Sequence, residues 1–384
     1  MDRRWVARVS SAGMSAILLA SACSSGDGSD MLNGVTAQQN AEAAVFPSSN
    51  WTRANPAELG FDAAALEQIA GSAGAETSCL VVTRHGEVAG EWYWNGAGAD
   101  LPQGAFSVTQ AFSATLVGIA QDKGLLDIDD RVADYIPEWD GTPSEDVTIR
   151  DILSHVSGRE STNSIGNMDL YNQLLTSPNP GIFAEGLPQE HPPGGVWSQN
   201  LPAIELLNPI LTAATGEDPA AFAQENLFGP IGATHTRYTQ NNNGVTWMHA
   251  FMETTCEDAA RLGYLLLRHG DWHGTQVLSD DWVDEATNPS QDLNAGFGYM
   301  LWLNHPGSLV SIDNVRTPDY DEPSDEQLVP GAPEDMFWAI GLGGQIIQVD
   351  PETDTVVVRL GTPDGDEATN MQLVTRMVTE GLTQ

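Results

Sequence analysis

The chain has 384 residues, 41% of them hydrophobic, which is enough to bury a large core and excludes both a small module and a disordered polymer. Its 53 acidic residues face 15 basic ones, a formal net charge of −38, and Lys123 is the only lysine. A surface this negative repels a phosphate backbone and excludes nucleic acid as a partner. It suits solubility or high salt, and no calcium-loop pattern supports a cation-binding role.

Arg3, Arg4 and Arg8 give the N-terminus a positive start, and the apolar run Met14 to Ala20 is too short to span a bilayer as a mature helix. The run ends in Leu19-Ala20-Ser21-Ala22-Cys23, which resembles a lipobox. Residues 1–22 are therefore expected to be a signal peptide. Cys23 is expected to carry a lipid that holds the protein on the cell envelope; plain secretion is the alternative. Residues 23–50, rich in Ser, Gly, Asp, Asn and Ala, read as a flexible tether, and the fold is expected over 51–384.

Within the fold, Asp62 caps a helix through Leu66 and Ile69. Cys79 to Val82 and Val88 to Trp94 read as a hairpin around Arg84-His85-Gly86-Glu87. Gln345 to Val349 and Thr355 to Leu360 form a second hairpin, and Glu367 to Leu382 a terminal helix with Met371, Val374, Met377 and Val378 on one face. Strands at both ends with helices between predict one antiparallel sheet built from both termini. Residues 51–139 and 246–384 would form an α/β lobe, and 140–245 an inserted helical lobe. The stretch from His305 to Asp335, rich in Pro, Asp and Glu, is either a functional lid or unstructured. Cys79 and Cys256 are left over outside the cytoplasm; they either pair, worth about 4–5 kcal/mol on the chain-entropy estimate, or serve as two small buried hydrophobes.

The chemistry centres on Ala105-Phe106-Ser107-Val108-Thr109-Gln110, which leads into the apolar helix Ala111 to Ala120. Ser107 is expected at that helix's N-terminus, where backbone N–H groups favour developing negative charge; the plainer role for it is a helix cap. The surroundings favour the nucleophile. The stretch resembles the Ser-x-x-Lys helix of serine β-lactamases, DD-peptidases and related esterases. Lys123-Gly124-Leu125-Leu126-Asp127-Ile128-Asp129-Asp130, then Val147-Thr148-Ile149-Arg150-Asp151-Ile152-Leu153-Ser154-His155-Val156-Ser157-Gly158, follow as that superfamily's blocks do. Pro192-Pro193-Gly194-Gly195-Val196-Trp197 is similar to the segment before its second catalytic motif. Phe337 to Gln345, followed by Val349-Asp350-Pro351, is similar to its third motif and strand.

The resemblance implies an α/β (α+β) fold of the β-lactamase/DD-peptidase type, with an antiparallel sheet, flanking helices and the inserted lobe. It implies Ser107 as nucleophile and an oxyanion hole from the N–H of Ser107 and one from the third motif, expected at Gly344. Gly343, Gln345 and Asn200 are expected beside it as substrate-binding positions. Two departures matter. The proton-accepting lysine of the family corresponds to Gln110, and its relay tyrosine to Gln199, with Leu201 two residues further on. An amide donates and accepts hydrogen bonds but stores no proton. Lys123 cannot substitute, because it sits at the far end of the same helix, roughly 24 Å away at about 1.5 Å per residue. His191 and His249 are candidates for a relocated base, while His155 reads as structural. No metal or cofactor is expected: His269 and His273 are spaced i, i+4, but glycines interrupt them, and no Gly-rich phosphate loop precedes a helix. The expected ligand is a small or peptide-like acyl compound. The expected function is an exported serine hydrolase of ester, amide or β-lactam bonds, slow for want of a base; the rival reading is a silent lipid-tethered binding protein of the same fold.

Overall fold

The computed structural model describes residues 44–161, 168–310 and 326–383; the expected export signal and Cys23 lie outside them, as do residues 311–325 of the Pro- and acid-rich stretch. In chain order the elements begin with Thr52–Arg53 (β1), Ala63–Ala70 (α1), Thr77–Arg84 (β2), Glu87–Tyr93 (β3) and Gln103–Gly104 (β4). A single 3₁₀ turn, Phe106–Val108, then feeds Thr109–Asp122 (α2). A helical stretch follows: Ile149–Leu153 (α3), Met168–Thr176 (α4), Pro180–Glu185 (α5), Leu201–Glu205 (α6), Leu207–Thr215 (α7), Pro219–Ala223 (α8) and Gly229–Ile231 (α9). The chain returns through Glu253–Thr254 (β5), Cys256–Leu267 (α10), Asp271–Trp272 (β6), Thr275–Gln276 (β7) and Asp280–Ala286 (α11). It finishes with Trp302–Leu303 (β8), Phe337–Gly341 (β9), Gln345–Asp350 (β10), Thr355–Gly361 (β11) and Glu367–Thr379 (α12).

The main sheet has the order β1-β3-β2-β11-β10-β9-β8, so its two central hairpins come from opposite ends of the sequence. Every pairing is antiparallel except β1 with β3. Alternation along β2 divides the core: Cys79 and Val81 face one side, with α2 and α10, and Leu80 and Val82 the other, with α1 and α12. Capping follows the sequence: the Asp62 carboxylate accepts from Ala64 N (2.8 Å) and Ala65 N (3.2 Å), and Thr255 Oγ1 accepts from Asp258 N at 3.1 Å. The helix α2 is buried on every side from Thr109 to Ala120, which anchors whatever stands at its start in the densest part of the molecule.

The described residues from Val45 on form one compact unit, which takes in the last residues of the segment expected as a tether. The last residues of that segment are packed: Phe46 stacks with Tyr264, Trp272 and His273, and the Arg261 guanidinium donates to the Ser48 and Ser49 carbonyls. Polar composition concealed a segment whose backbone carbonyls are its anchors. Cys79 in β2 and Cys256 at the start of α10 are joined by a disulfide, with Cα atoms 6.3 Å apart across a sequence separation of 177.

Candidate active site

Ser107 sits in the 3₁₀ turn, two residues ahead of the first residue of α2, so the expected position at the helix mouth is displaced by half a turn. The turn is held from below. Ala105 N donates to Met252 O (2.8 Å), Val108 N to Ala105 O (3.1 Å), and Thr109 Oγ1 to Phe106 O (2.6 Å) while accepting from Met252 N (3.2 Å). Phe106 has φ +47°, a left-handed conformation that is costly for a bulky side chain and that concentrates at functional sites. It breaks the chain direction between β4 and α2 and turns Ser107 out of the strand line. The Ser107 hydroxyl is half-buried and has no hydrogen-bond partner among the described residues.

The end of β9 runs directly past this turn. A Cβ on Gly341 would lie 2.8 Å from Ala105 O, 3.0 Å from Ser107 N and 3.1 Å from Val108 N, so only glycine permits the approach. The following turn, Leu342-Gly343-Gly344, is tied back by its carbonyls. Leu342 O accepts from Gln345 Nε2 (2.9 Å). Gly343 O accepts from Arg359 Nη1 (2.7 Å) and Asn370 Nδ2 (3.2 Å), and Gly344 O from Arg359 Nη1 (2.8 Å). Arg359 is fully buried, its Nη2 on Thr77 Oγ1 at 3.1 Å, and burial lowers its guanidinium to about 10, still a cation at neutral pH. Gly344, expected to offer its N–H to an oxyanion, donates it instead to Gly341 O at 2.9 Å, closing the turn. The Leu342 N–H, one residue past the contact with Ser107, has no partner among the described residues, and its side chain is exposed. Sequence reading passed over Leu342 because an apolar residue among glycines carries no chemical signal of its own.

The other expected residues divide clearly. Gln110, one turn along α2, is buried, and its Nε2 has no hydrogen-bond partner. Gln199 is also buried; its carbonyl accepts from Ser161 Oγ at 2.8 Å. Gln345 and Asn200 are structural in this arrangement. Gln345 Oε1 accepts from Gly361 N at 2.6 Å, bracing the turn from β11. Asn200 caps α6 by accepting from Ala203 N (3.0 Å) and donates to Arg159 O (3.0 Å), so its amide is committed. His155 lies under the second motif, its carbonyl accepting from Ser198 N (3.0 Å) and its Nδ1 from Asn200 N (3.3 Å); burial alone pulls it down to about 3. His191 is exposed in the loop over Gly158. His249 is fully buried with its Nδ1 2.6 Å from Glu205 Oε1. His269 does not pair with His273; it faces Asp280 (2.8 Å) and Asp284 (3.6 Å) on the surface.

What the arrangement can do is asymmetric. Around Ser107 it offers backbone N–H groups beside a hydroxyl, which suits stabilisation of a tetrahedral oxyanion. At the two positions where a proton would be handled, it offers amides.

The chain is 24% identical over 308 residues to the 6-aminohexanoate-dimer hydrolase of Paenarthrobacter ureafaciens, covering 76% of this chain and 74% of that one. It is 28% identical over 142 residues to a penicillin-binding protein of Bacillus subtilis, a match that takes in 34% of this chain and only 29% of that protein. Its fold is shared with a family VIII carboxylesterase at a TM-score of 0.59 and 18% identity, covering 85% of this chain and 99% of the other. Residues 63–374 match the Beta-lactamase family, and the chain belongs to it, within the superfamily of serine hydrolases that includes esterases, aminohexanoate hydrolases and penicillin-binding-protein homologues.

Proposed function

We propose that the protein is an exported serine hydrolase that opens an ester, amide or β-lactam bond through an acyl-enzyme on Ser107, slowly, because Gln110 and Gln199 stand where the family keeps its lysine and tyrosine. Attachment to the cell envelope through Cys23 is part of the same reading, resting on the basic and apolar run that precedes that cysteine. The observation that carries the proposal is the unbonded Ser107 hydroxyl lying in the turn against which Gly341 is pressed. In this reading the N–H groups of Ser107 and Leu342 receive the oxyanion. The Leu342 N–H is assigned in place of Gly344, whose N–H is spent in the turn.

Loss of a general base costs about 10²–10⁴ in rate, whereas an oxyanion hole with binding alone still gives roughly 10³–10⁴ over water. Activated esters therefore remain within reach and unstrained amides do not. The amide pair supports a second reading, a non-catalytic protein that binds acyl compounds. Labelling with a fluorophosphonate and with a reporter penicillin separates the two. Covalent labelling that disappears in Ser107→Ala supports the hydrolase; reversible binding without labelling supports the binding protein.

A further inference from the structure

The turn after β9 is tied to a buried cation. Arg359, near the end of β11, is fully buried, and among the described residues its guanidinium makes no ion pair; only the charge of Glu76 reaches it, from beyond contact. Its Nε (3.2 Å) and Nη2 (3.1 Å) donate to Thr77 Oγ1, and its Nη1 donates to Gly343 O (2.7 Å) and Gly344 O (2.8 Å). Burying a charge without a counter-charge is costly. A neutral donor is enough to close a turn, and Asn370 Nδ2 already supplies one to the same Gly343 oxygen (3.2 Å). The bonds from Arg359 run in series. Gly343 O belongs to the same peptide group as Gly344 N. Gly344 N donates to Gly341 O (2.9 Å), and Gly341 O belongs to the same peptide group as the Leu342 N–H. The guanidinium is thus connected to the Leu342 N–H through two peptide groups.

We infer that Arg359 is a positioning residue that polarises the oxyanion donor: through the Gly343–Gly344 and Gly341–Leu342 peptide groups it strengthens the Leu342 N–H. The inference rests on the hydrolase reading above, in which that N–H receives the oxyanion. Donation to a carbonyl oxygen draws electron density from the amide nitrogen bonded to the same carbon, so each N–H further along the series becomes a stronger donor. Positive charge enters at Gly343 O, and a more positive N–H faces outward at Leu342. That N–H lies beside Ser107, because a Cβ on Gly341, the residue before it, would stand 3.0 Å from Ser107 N. The substrate never touches the cation, and solvent does not screen it. Its effect grows as an acyl carbonyl oxygen becomes an alkoxide, which is when stabilisation lowers the barrier. At about 5 Å for each hydrogen-bonded peptide group, the guanidinium stands roughly 10 Å from the oxyanion. At that distance, with an effective dielectric of about 20, one charge changes a rate on the order of 10-fold.

The test uses the full chain and two probes, a fluorophosphonate and p-nitrophenyl acetate, with Ser107→Ala rates subtracted. Acylation by p-nitrophenyl acetate gives a maximal rate and a half-saturating concentration. Arg359→Met removes the charge and fills similar space. It should lower the maximal rate about 10-fold and leave the half-saturating concentration unchanged, because the ground-state carbonyl carries little charge. Two changes on α12 reach the same cation from outside the strand. Asn370 shares Gly343 O with Arg359, so the carboxylate of Asn370→Asp would neutralise the guanidinium, whereas Asn370→Ala removes the same neutral donor and leaves the cation. Asn370→Asp should be slower than Asn370→Ala by about 10-fold, a difference that bracing of the turn alone does not produce. Melting curves check each variant, and the Asn370 pair decides the matter if Arg359→Met does not fold. A folded Arg359→Met with the wild-type maximal rate, or an Asn370→Asp no slower than Asn370→Ala, overturns the inference; labelling that still depends on Ser107 then leaves the hydrolase reading intact. Wild type that takes up neither probe overturns both.

Discussion

The two halves of the site are built from different materials. The half proposed to hold charge is made of backbone: the turn that carries Ser107, the β9 strand pressed against it at Gly341, and the Leu342-Gly343-Gly344 turn whose carbonyls Gln345, Asn370 and Arg359 draw inward. The half proposed to handle the proton is made of side chains, Gln110 and Gln199, both buried. A backbone device cannot be lost by substitution without distorting the sheet that forms it. A side-chain device can be exchanged one residue at a time with the fold untouched. On the proposed reading, this difference lets a chain keep an oxyanion site while carrying amides at the expected base and relay positions.

The largest effect should come from rebuilding the side-chain half. Gln110→Lys with Gln199→Tyr is expected to raise hydrolysis of an activated ester by about 10²–10⁴, the usual contribution of a positioned acid–base pair. A lysine at 110 lies one turn along α2 from Ser107 on the same face, and burial would depress its pKa toward the range of a free base. Each change alone should do little, because a base without a relay leaves departure of the leaving group unassisted. Leu201, an apolar residue where the family is polar, limits the gain. A double variant as slow as Ser107→Ala would show that the comparison is misdrawn and that the backbone half is also defective.

The second effect comes from breaking the backbone half. Gly341→Ala sets a methyl group 2.8 Å from Ala105 O and 3.0 Å from Ser107 N, so β9 must retreat by a few tenths of an ångström. Misplacing a catalytic group by about 1 Å costs about 10²-fold in rate, so this smaller retreat should lower the rate by less than that. The same overpacking costs about 1–3 kcal/mol in stability. Stopped-flow labelling and a denaturant melt measure the two separately. Unchanged labelling in a destabilised variant would mean that the third-motif turn does not serve Ser107.

Much of this was legible in the sequence, and the exceptions share a cause. The two hairpins and the terminal helix followed from alternation and β-branched runs, and the ordered motif blocks pointed to Ser107. What the sequence did not show belongs to backbone atoms or to contacts distant in sequence. Gly344 was expected to donate to substrate, but a four-residue β-turn commits its N–H to Gly341 O, and side-chain identity says nothing of that. Asn200 and Gln345 have side chains suited to binding, yet both are spent on caps and turns whose partners lie elsewhere in the chain. Glu205 read as one more acid among 53; only the fold, by bringing residues 44 apart into contact, makes it the partner of His249.

The smallest effect tests whether the backbone beneath the altered side chains is still specified. His155 fixes the second motif by accepting from Asn200 N at Nδ1 and from Ser198 N at its carbonyl, with its ring packed against Phe297 (4.8 Å) and Trp197 (6.1 Å). Burial lowers its pKa from 6.5 to about 3, so between these values the unfolded chain binds a proton that the folded chain refuses. The stability contributed by the neutral imidazole is fully present above pH 6.5 and is lost as pH falls toward 3, at about 1.4 kcal/mol per pH unit once well below 6.5. From pH 6.5 to 5.5 the loss is about 1 kcal/mol. Asp151, Asp258 and Asp350, whose pKa values burial raises, act in the opposite sense as pH falls, so wild type alone does not isolate the histidine. The difference between wild type and His155→Gln does, since the glutamine oxygen can still accept from Asn200 N and does not titrate. The variant should be less stable at pH 7.5, and the gap should narrow by about 1 kcal/mol between pH 6.5 and 5.5 in urea melts. A gap that stays constant with pH would mean that the imidazole is not held neutral, and that the second motif has loosened along with the residues it displays.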